Sequence, residues 1–244
     1  MTAAQKHKVL LAVFAHPDDE AVVAPVLARY GRTGADVYVA YATAGEHGVR
    51  EHFAVPYGQT LGQCRQTEAR AAARELGINP PLFLGLEDGS LGEFTNPPGK
   101  HMCELTNALQ KVLDELRPDA IVTWGPDGGY GHPDHRLVQD AVTELVQRGG
   151  TTSRLFYVGI SPEQVKGTLG PFSAFFTTDA RYLTVHVAFT EADLEAARRS
   201  YRCHQSQFTE QSIEYLDSFF TQAWSGKVSF RPWFGDIRGE DLFD

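Results

Sequence analysis

Two short stretches of this chain gather residue types that hold metal ions and move protons. The first is Ala15-His16-Pro17-Asp18-Asp19-Glu20; the second is Gly128-Gly129-Tyr130-Gly131-His132-Pro133-Asp134-His135. Pooled, they offer His16, Asp18, Asp19, His132, Asp134 and His135. Two histidines and one carboxylate are enough for a catalytic zinc, which takes three nitrogen or oxygen ligands and keeps one position open for water. Such a metal lowers the pKa of water toward neutrality and polarises a carbonyl oxygen. A remaining carboxylate can take the water's proton, and a remaining histidine can steady an oxyanion or protonate a leaving amine. The six groups suffice to hydrolyse an amide, provided that the two stretches meet.

The elements around them predict that they do. The first stretch follows a continuous apolar run, residues 9–14, and the second follows residues 119–124, which also read as a buried strand. Pro17 and Pro133 carry a φ suited to a first helical position and cannot continue a strand interior. The chain should therefore turn from strand to helix at both places, with acids in the first helical turn where the macrodipole favours them. The first helix is expected over about residues 17–30, with Pro25 inside it as a kink or a shortened start.

Further strands are expected at 36–42, 82–84, 154–160 and 182–188, and helices at 61–76, 101–116, 133–147 and 190–205. The last of these starts on an approximate capping box, Thr190 with Asp193. Long loops at 43–60 and 85–100, the second carrying Asn96-Pro97-Pro98-Gly99, are of a length that usually has a function. Residues 219–244 are aromatic and rich in Gly and Pro, and they receive no assignment. The alternation implies an α/β class, a Rossmann-like doubly wound and mainly parallel sheet with strands 1 and 4 adjacent. Their carboxyl ends then flank the switch point, where ligands bind, and the two stretches face each other across one crevice.

With 244 residues, 42% of them hydrophobic, the chain can bury one full core. The formal net charge of −9 argues against sequence-independent nucleic-acid binding. No apolar run approaches the roughly 20 residues of a membrane helix, and residues 1–8 lack a signal peptide's apolar centre. Three widely spaced cysteines suggest free thiols, so a cytoplasmic location is expected. A homo-oligomer is left open. A nucleotide-dependent oxidoreductase would run strand 1 into Gly-x-Gly-x-x-Gly; here it runs into His-Pro-Asp-Asp-Glu, which sets that class aside.

The paired stretches resemble the motifs of the LmbE/PIG-L family of zinc-dependent N-deacetylases, which act on N-acetylglucosaminyl-phosphatidylinositol and on mycothiol and bacillithiol precursors. The resemblance runs from strand 1 to about residue 147. It implies a single LmbE-like deacetylase domain over 1–244, with a core at 9–160 and a variable part at 161–244. It also implies Zn2+, with Fe2+ or another divalent metal as the in vivo alternative, and an N-acetylated aminosugar as substrate. By this resemblance His16, Asp19 and His135 are metal ligands, and Asp18 is the general base on the attacking water. His132 is a cationic group that steadies the tetrahedral intermediate, Asp134 orients and charge-tunes it, and Tyr130 donates to the oxyanion. Glu46, Arg65 and Asp88 resemble sugar-contacting positions, although Arg65 could instead pair with Glu68. His204-Gln205-Ser206-Gln207 resembles a short family element without an assigned role. The expected reaction removes acetyl from an N-acetylglucosamine-type amide; the alternative is a metal-dependent amidase for a non-sugar amide or thiol conjugate. A non-enzymatic binding module would require a fourth protein ligand to close the metal shell.

Overall fold

Successive side chains of a strand point to opposite faces. Leu10, Ala12 and Phe14 enter one apolar cluster, while Leu11 and Val13 enter another. A strand buried on both sides belongs in the middle of a sheet covered by helices on each face. The computed structural model, which describes residues 7–93, 99–166 and 175–244, places it there.

β1 (Val9–Phe14) lies between β2 (Asp36–Thr43) and β4 (Ala120–Thr123), parallel to both. β3 (Leu82–Leu86) flanks β2 and β5 (Arg154–Gly159) flanks β4, again parallel. The strand order 3-2-1-4-5 is the one the alternation predicts, with strands 1 and 4 adjacent. Two antiparallel strands extend it: β7 (Lys227–Pro232) pairs with β5, and β6 (Val185–Ala188) pairs with β7.

Helices cover both faces. α3 (Lys100–Leu116) buries Leu105, Leu109 and Leu113 on one of them, beside Val138 and Leu145 of α5 (Pro133–Gln147). α1 (Ala24–Arg32), α2 (Leu61–Leu76), α6 (Glu191–Tyr201) and α7 (Glu210–Trp224) cover the other. Among the described residues no helix is long and apolar enough to cross a membrane.

Three expectations need correction. The first helix is split: a 3-10 turn, Asp19–Val23, precedes α1, and Pro25 sits in the opening turn of α1 instead of kinking its middle. Asp18 is not helical, because its φ of 99° puts it in the left-handed region. The helix expected over 190–205 stops at Tyr201, and the chain then turns back, which carries His204 under the sheet's carboxyl edge. Residues 219–244 fall into the end of α7, then β7 and a tail whose Leu242 is buried. The Asn96-Pro97-Pro98 stretch lies outside the described residues.

The box at Thr190 forms as expected, and Asp193 does more than cap. Its carboxylate also accepts from Arg32 Nε and Nη2 at 2.8 and 3.0 Å, tying α6 to α1. Burial opposes the charged carboxylate, but the bonds from Arg32 and Thr190 outweigh it and hold its pKa below the ordinary range. A carboxyl depressed in the folded state contributes stability above its unfolded pKa of about 3.9, and that contribution is lost as pH falls through the folded value. Asp193→Asn should therefore be less stable than the parent at pH 7, and the two urea midpoints should converge below about pH 4.

Candidate active site

The first turn is held by backbone bonds to acidic side chains. The amides of Ala15 and His16 each donate to Asp19 Oδ2 at 3.0 Å, closing the chain around that carboxylate as β1 ends. Asp18 follows in its left-handed conformation, which costs an Asp on the order of 1–3 kcal/mol. Its amide donates to Glu20 Oε2 at 2.9 Å, and Tyr41 OH donates to the same oxygen at 2.7 Å. Glu20 Oε1 lies 2.6 Å from His204 Nε2, both side chains being buried.

Arg65 clamps the turn from α2. It donates to the carbonyls of Pro17 and Gly45 and stands 3.3 Å from Asp18 Oδ1. A Cβ on Gly45 or Gly48 would fall 2.3 Å from its Nη1, so the guanidinium fits only against glycine. Glu68, the helical neighbour Arg65 could have paired with, instead accepts from the amide and hydroxyl of Ser206.

The second turn leaves β4 at Trp124 and passes through α4, a single distorted turn (Gly128–Gly131). Gly129 has φ 76°, and a Cβ there would meet the Trp124 ring at 2.6 Å. His132 caps α5, its Nδ1 accepting from the Asp134 amide at 3.2 Å. That leaves Asp134 and His135 buried at the helix start, with His135 stacked on Trp124 at a centroid distance of 4.6 Å.

The two turns meet. His16 Nδ1 lies 3.3 Å from His135 Nε2 and 3.8 Å from Asp19 Oδ2, and His135 Nε2 lies 3.2 Å from Asp19 Oδ1. The outer ring nitrogens decide what faces inward. His135 Nδ1 lies 3.0 Å from the Gly128 carbonyl, which can only accept, so that nitrogen carries the proton. His16 Nε2 lies 3.0 Å from Asp88 Oδ1 and 3.3 Å from Asp134 Oδ2, and carries a proton for the same reason. Two imidazole lone pairs and a carboxylate thus converge on one point, a donor set that fits a small divalent cation whose outer partners are already in place. His16, His132 and His135 form one group with the spacing to hold a metal, and His16, Asp88 and Asp134 form another. Without a metal the centre recruits a proton. Burial alone would lower the His16 pKa, yet hydrogen bonds to Asp134 and Asp88 and the charge of Asp19 lift it to about 10.

The surrounding groups fall into place around this cluster. Burial pushes the Asp18 carboxyl up against the pull of Arg65. Asp88, hydrogen-bonded to His16, is held down to about 2 against its own burial. Tyr130 stands over the rings of His135 and His132 at 5.2 and 5.9 Å. Three features differ from those anticipated. The Asp134 carboxylate accepts from the amides of Gly89 and Gly92 and faces His16, so the ring it orients is His16; on His132 it acts through its backbone amide and through its charge, which favours the protonated ring. His132 is not set up as a cation in the metal-free protein, since burial and the charges of His135 and His16 push its pKa down. Glu46 does not line the cavity: its Oε1 accepts from the Asp88 amide at 3.0 Å and so acts one step behind.

Above the cluster opens a polar cavity of about 450 Å³ into which Asp88 and Arg65 project, joined by His47, Arg50 and Gln207. Those last three escape a motif-based reading, because two lie in an aperiodic loop and Gln207 comes from the carboxyl-terminal third. The stretch His204-Gln205-Ser206-Gln207 was the available signal: its two outer members reach the site by different routes, His204 through Glu20 and Gln207 through the cavity wall.

Fold and site together define a class, a doubly wound α/β protein with a histidine–carboxylate cluster suited to a cation at the switch point of its sheet. Residues 11–146, more than half of the chain, match the family model described as PIG-L: GlcNAc-PI de-N-acetylase, and the chain belongs to that family. It is similar to the 1D-myo-inositol 2-acetamido-2-deoxy-alpha-D-glucopyranoside deacetylase of Mycobacterium sp. (strain KMS), with 38% identity over 166 residues, 61% of this chain and 53% of that protein. The same-named deacetylase of Mycobacteroides abscessus is 35% identical over 168 residues, 62% of this chain and 60% of that protein. The chain spans about half the length of the curated relatives it matches. Among solved structures, N,N'-diacetylchitobiose deacetylase from Pyrococcus horikoshii has a TM-score of 0.65 at 19% identity, covering 92% of this chain and 83% of that one. The zinc-inhibited form of teicoplanin deacetylase Orf2 has a TM-score of 0.66 at 17% identity, covering 92% and 97%. These two likenesses bear on the fold.

Proposed function

We propose that this protein is a zinc-dependent N-deacetylase acting on an N-acetylglucosamine-type amide, built as a single domain with a core at 9–160 and a variable part at 161–244. The observation that carries the reading is the convergence of two bare imidazole nitrogens and the Asp19 carboxylate, with Asp18 and His132 beside them and a polar cavity above. The relatives named for deacetylation of an aminosugar support the same substrate class.

His16, Asp19 and His135 would hold the metal, which when bound supplies an acidified water and polarises the amide carbonyl. Asp18, close to the cluster but outside its contacts, takes the proton of the attacking water. Arg65 keeps that carboxylate aimed, at 3.3 Å. Tyr130 donates its hydroxyl to the developing oxyanion. His132 steadies the tetrahedral intermediate beside the leaving nitrogen by donating its Nε2–H as a hydrogen bond, its Nδ1 being fixed by the Asp134 amide, and Asp18 passes the proton taken from water to the leaving amine. Asp88 and Arg65 meet the sugar's hydroxyls, and Glu46 supports Asp88 from behind.

Removing the metal tests this directly. Dialysis against a chelator should abolish acetate release from N-acetylglucosamine derivatives, and added Zn2+ should restore it. Turnover untouched by chelation would overturn the mechanism. The competing substrate class, a non-sugar amide or thiol conjugate, is separated by comparing acetate release from N-acetylglucosaminyl glycosides with hydrolysis of a panel of mercapturic-type amides.

A further inference from the structure

The cluster stands at the meeting of two cavities of opposite character. The polar one has been described. The second, of about 340 Å³, is walled by Val22, Trp124, Phe175, Phe208, Leu216 and Phe220. Asp18, Asp19, Tyr130 and the exposed Arg50 border both, whereas His132 borders only the polar one. A scissile amide placed at Asp18 and Tyr130 must therefore extend one substituent into each chamber.

Chemistry decides which goes where. Sugar hydroxyls moved into the apolar chamber would lose water without finding partners, a cost the polar chamber avoids. The leaving amine also needs His132, which faces the polar side. That leaves the acyl group for the apolar chamber. An acetyl methyl is about the size of a water molecule, whose share of liquid volume is roughly 30 Å³, so it would leave most of the chamber's wall without contacts.

We infer that the chamber lined by Val22, Phe208, Leu216 and Phe220 is an acyl subsite, and that the protein removes aliphatic acyl groups of about four to six carbons from an aminosugar nitrogen in preference to acetyl. This rests on the amide-hydrolase reading given above. The reaction balances with water alone. The water oxygen bonds to the carbonyl carbon, the C–N bond breaks, and both water protons end on the amine nitrogen, so that an ammonium and a carboxylate leave.

The test is a series of N-acyl glucosamines bearing acetyl, butyryl and hexanoyl groups, run beside the hexyl glycoside of N-acetylglucosamine. Burying each added methylene should raise kcat/KM about fourfold, so that butyryl exceeds acetyl by about fifteenfold. Hexanoate should likewise bind the zinc-loaded protein more tightly than acetate by calorimetry. Leu216→Phe, which fills the chamber from α7, should shrink both the hexanoyl-to-acetyl ratio and the hexanoate preference. A flat or falling series with acetyl still cleaved overturns the acyl subsite and leaves the deacetylase reading standing. A gain confined to the hexyl glycoside assigns the chamber to the aglycone and overturns it too. Failure to cleave any of these amides removes the parent reading and this inference together.

Discussion

Asp18→Asn should keep its zinc and lose about 10²–10⁴-fold in turnover, the range that a positioned general base contributes. The carboxylate borders both cavities but stands apart from the atoms that converge between His16, Asp19 and His135. Asparagine keeps the shape and an oxygen that can still face Arg65, whereas it cannot accept a proton at neutral pH. Asp19→Ala and His135→Ala should behave differently. Each removes one of three ligands, and Asp19→Ala also strips the acceptor from the amides of Ala15 and His16, so the turn itself loosens. Elemental analysis of the dialysed variants, set beside their turnover, separates base from ligand. Equal zinc loss in all three proteins would contradict the division of roles.

Glu20→Ala should cost about 3–5 kcal/mol of folding stability, the scale for removing one partner of a buried charged pair. That is a large part of the 5–15 kcal/mol that holds a typical domain together. Three groups depend on this carboxylate: His204 at 2.6 Å, Tyr41 at 2.7 Å and the Asp18 amide at 2.9 Å. The two side chains cannot reach water, since Glu20 and His204 are 2% and 1% exposed and Tyr41 is 1% exposed. The effect should be strongly coupled. In a double-mutant cycle with His204→Leu, the second substitution should cost far less once the first is present. A urea midpoint for Glu20→Ala close to the parent's would sink the assignment. The same network is the only described support for the amide of Asp18 in its left-handed conformation, so kcat should fall in Glu20→Gln even where folding survives.

The parts of the fold visible in the sequence are those set by local patterns. The apolar runs that became β1 and β4, and the proline-led start of α5, carry their instructions within a few residues. Because a right-handed crossover leaves few ways to arrange five alternating strands and helices, β1 and β4 follow as neighbours. From that adjacency alone the two His-Pro-Asp turns could be brought face to face.

Other features needed the chain's distant parts. β7 becomes a strand by lying antiparallel to β5, more than 70 residues earlier, and a short run such as Val228-Ser229-Phe230 carries no hint of that partner. The first turn looked helical because proline followed by three acids favours a helix start. Glu20 instead serves His204 from the far end of the chain, and Asp18 is left-handed under its hold. Residue types and their spacing determined which groups could bind a metal and work on an amide. Which ring Asp134 faces, which loop residues wall the polar cavity, and that an apolar chamber adjoins the cluster were decided by packing, because burial sets these contacts between segments that no local pattern connects.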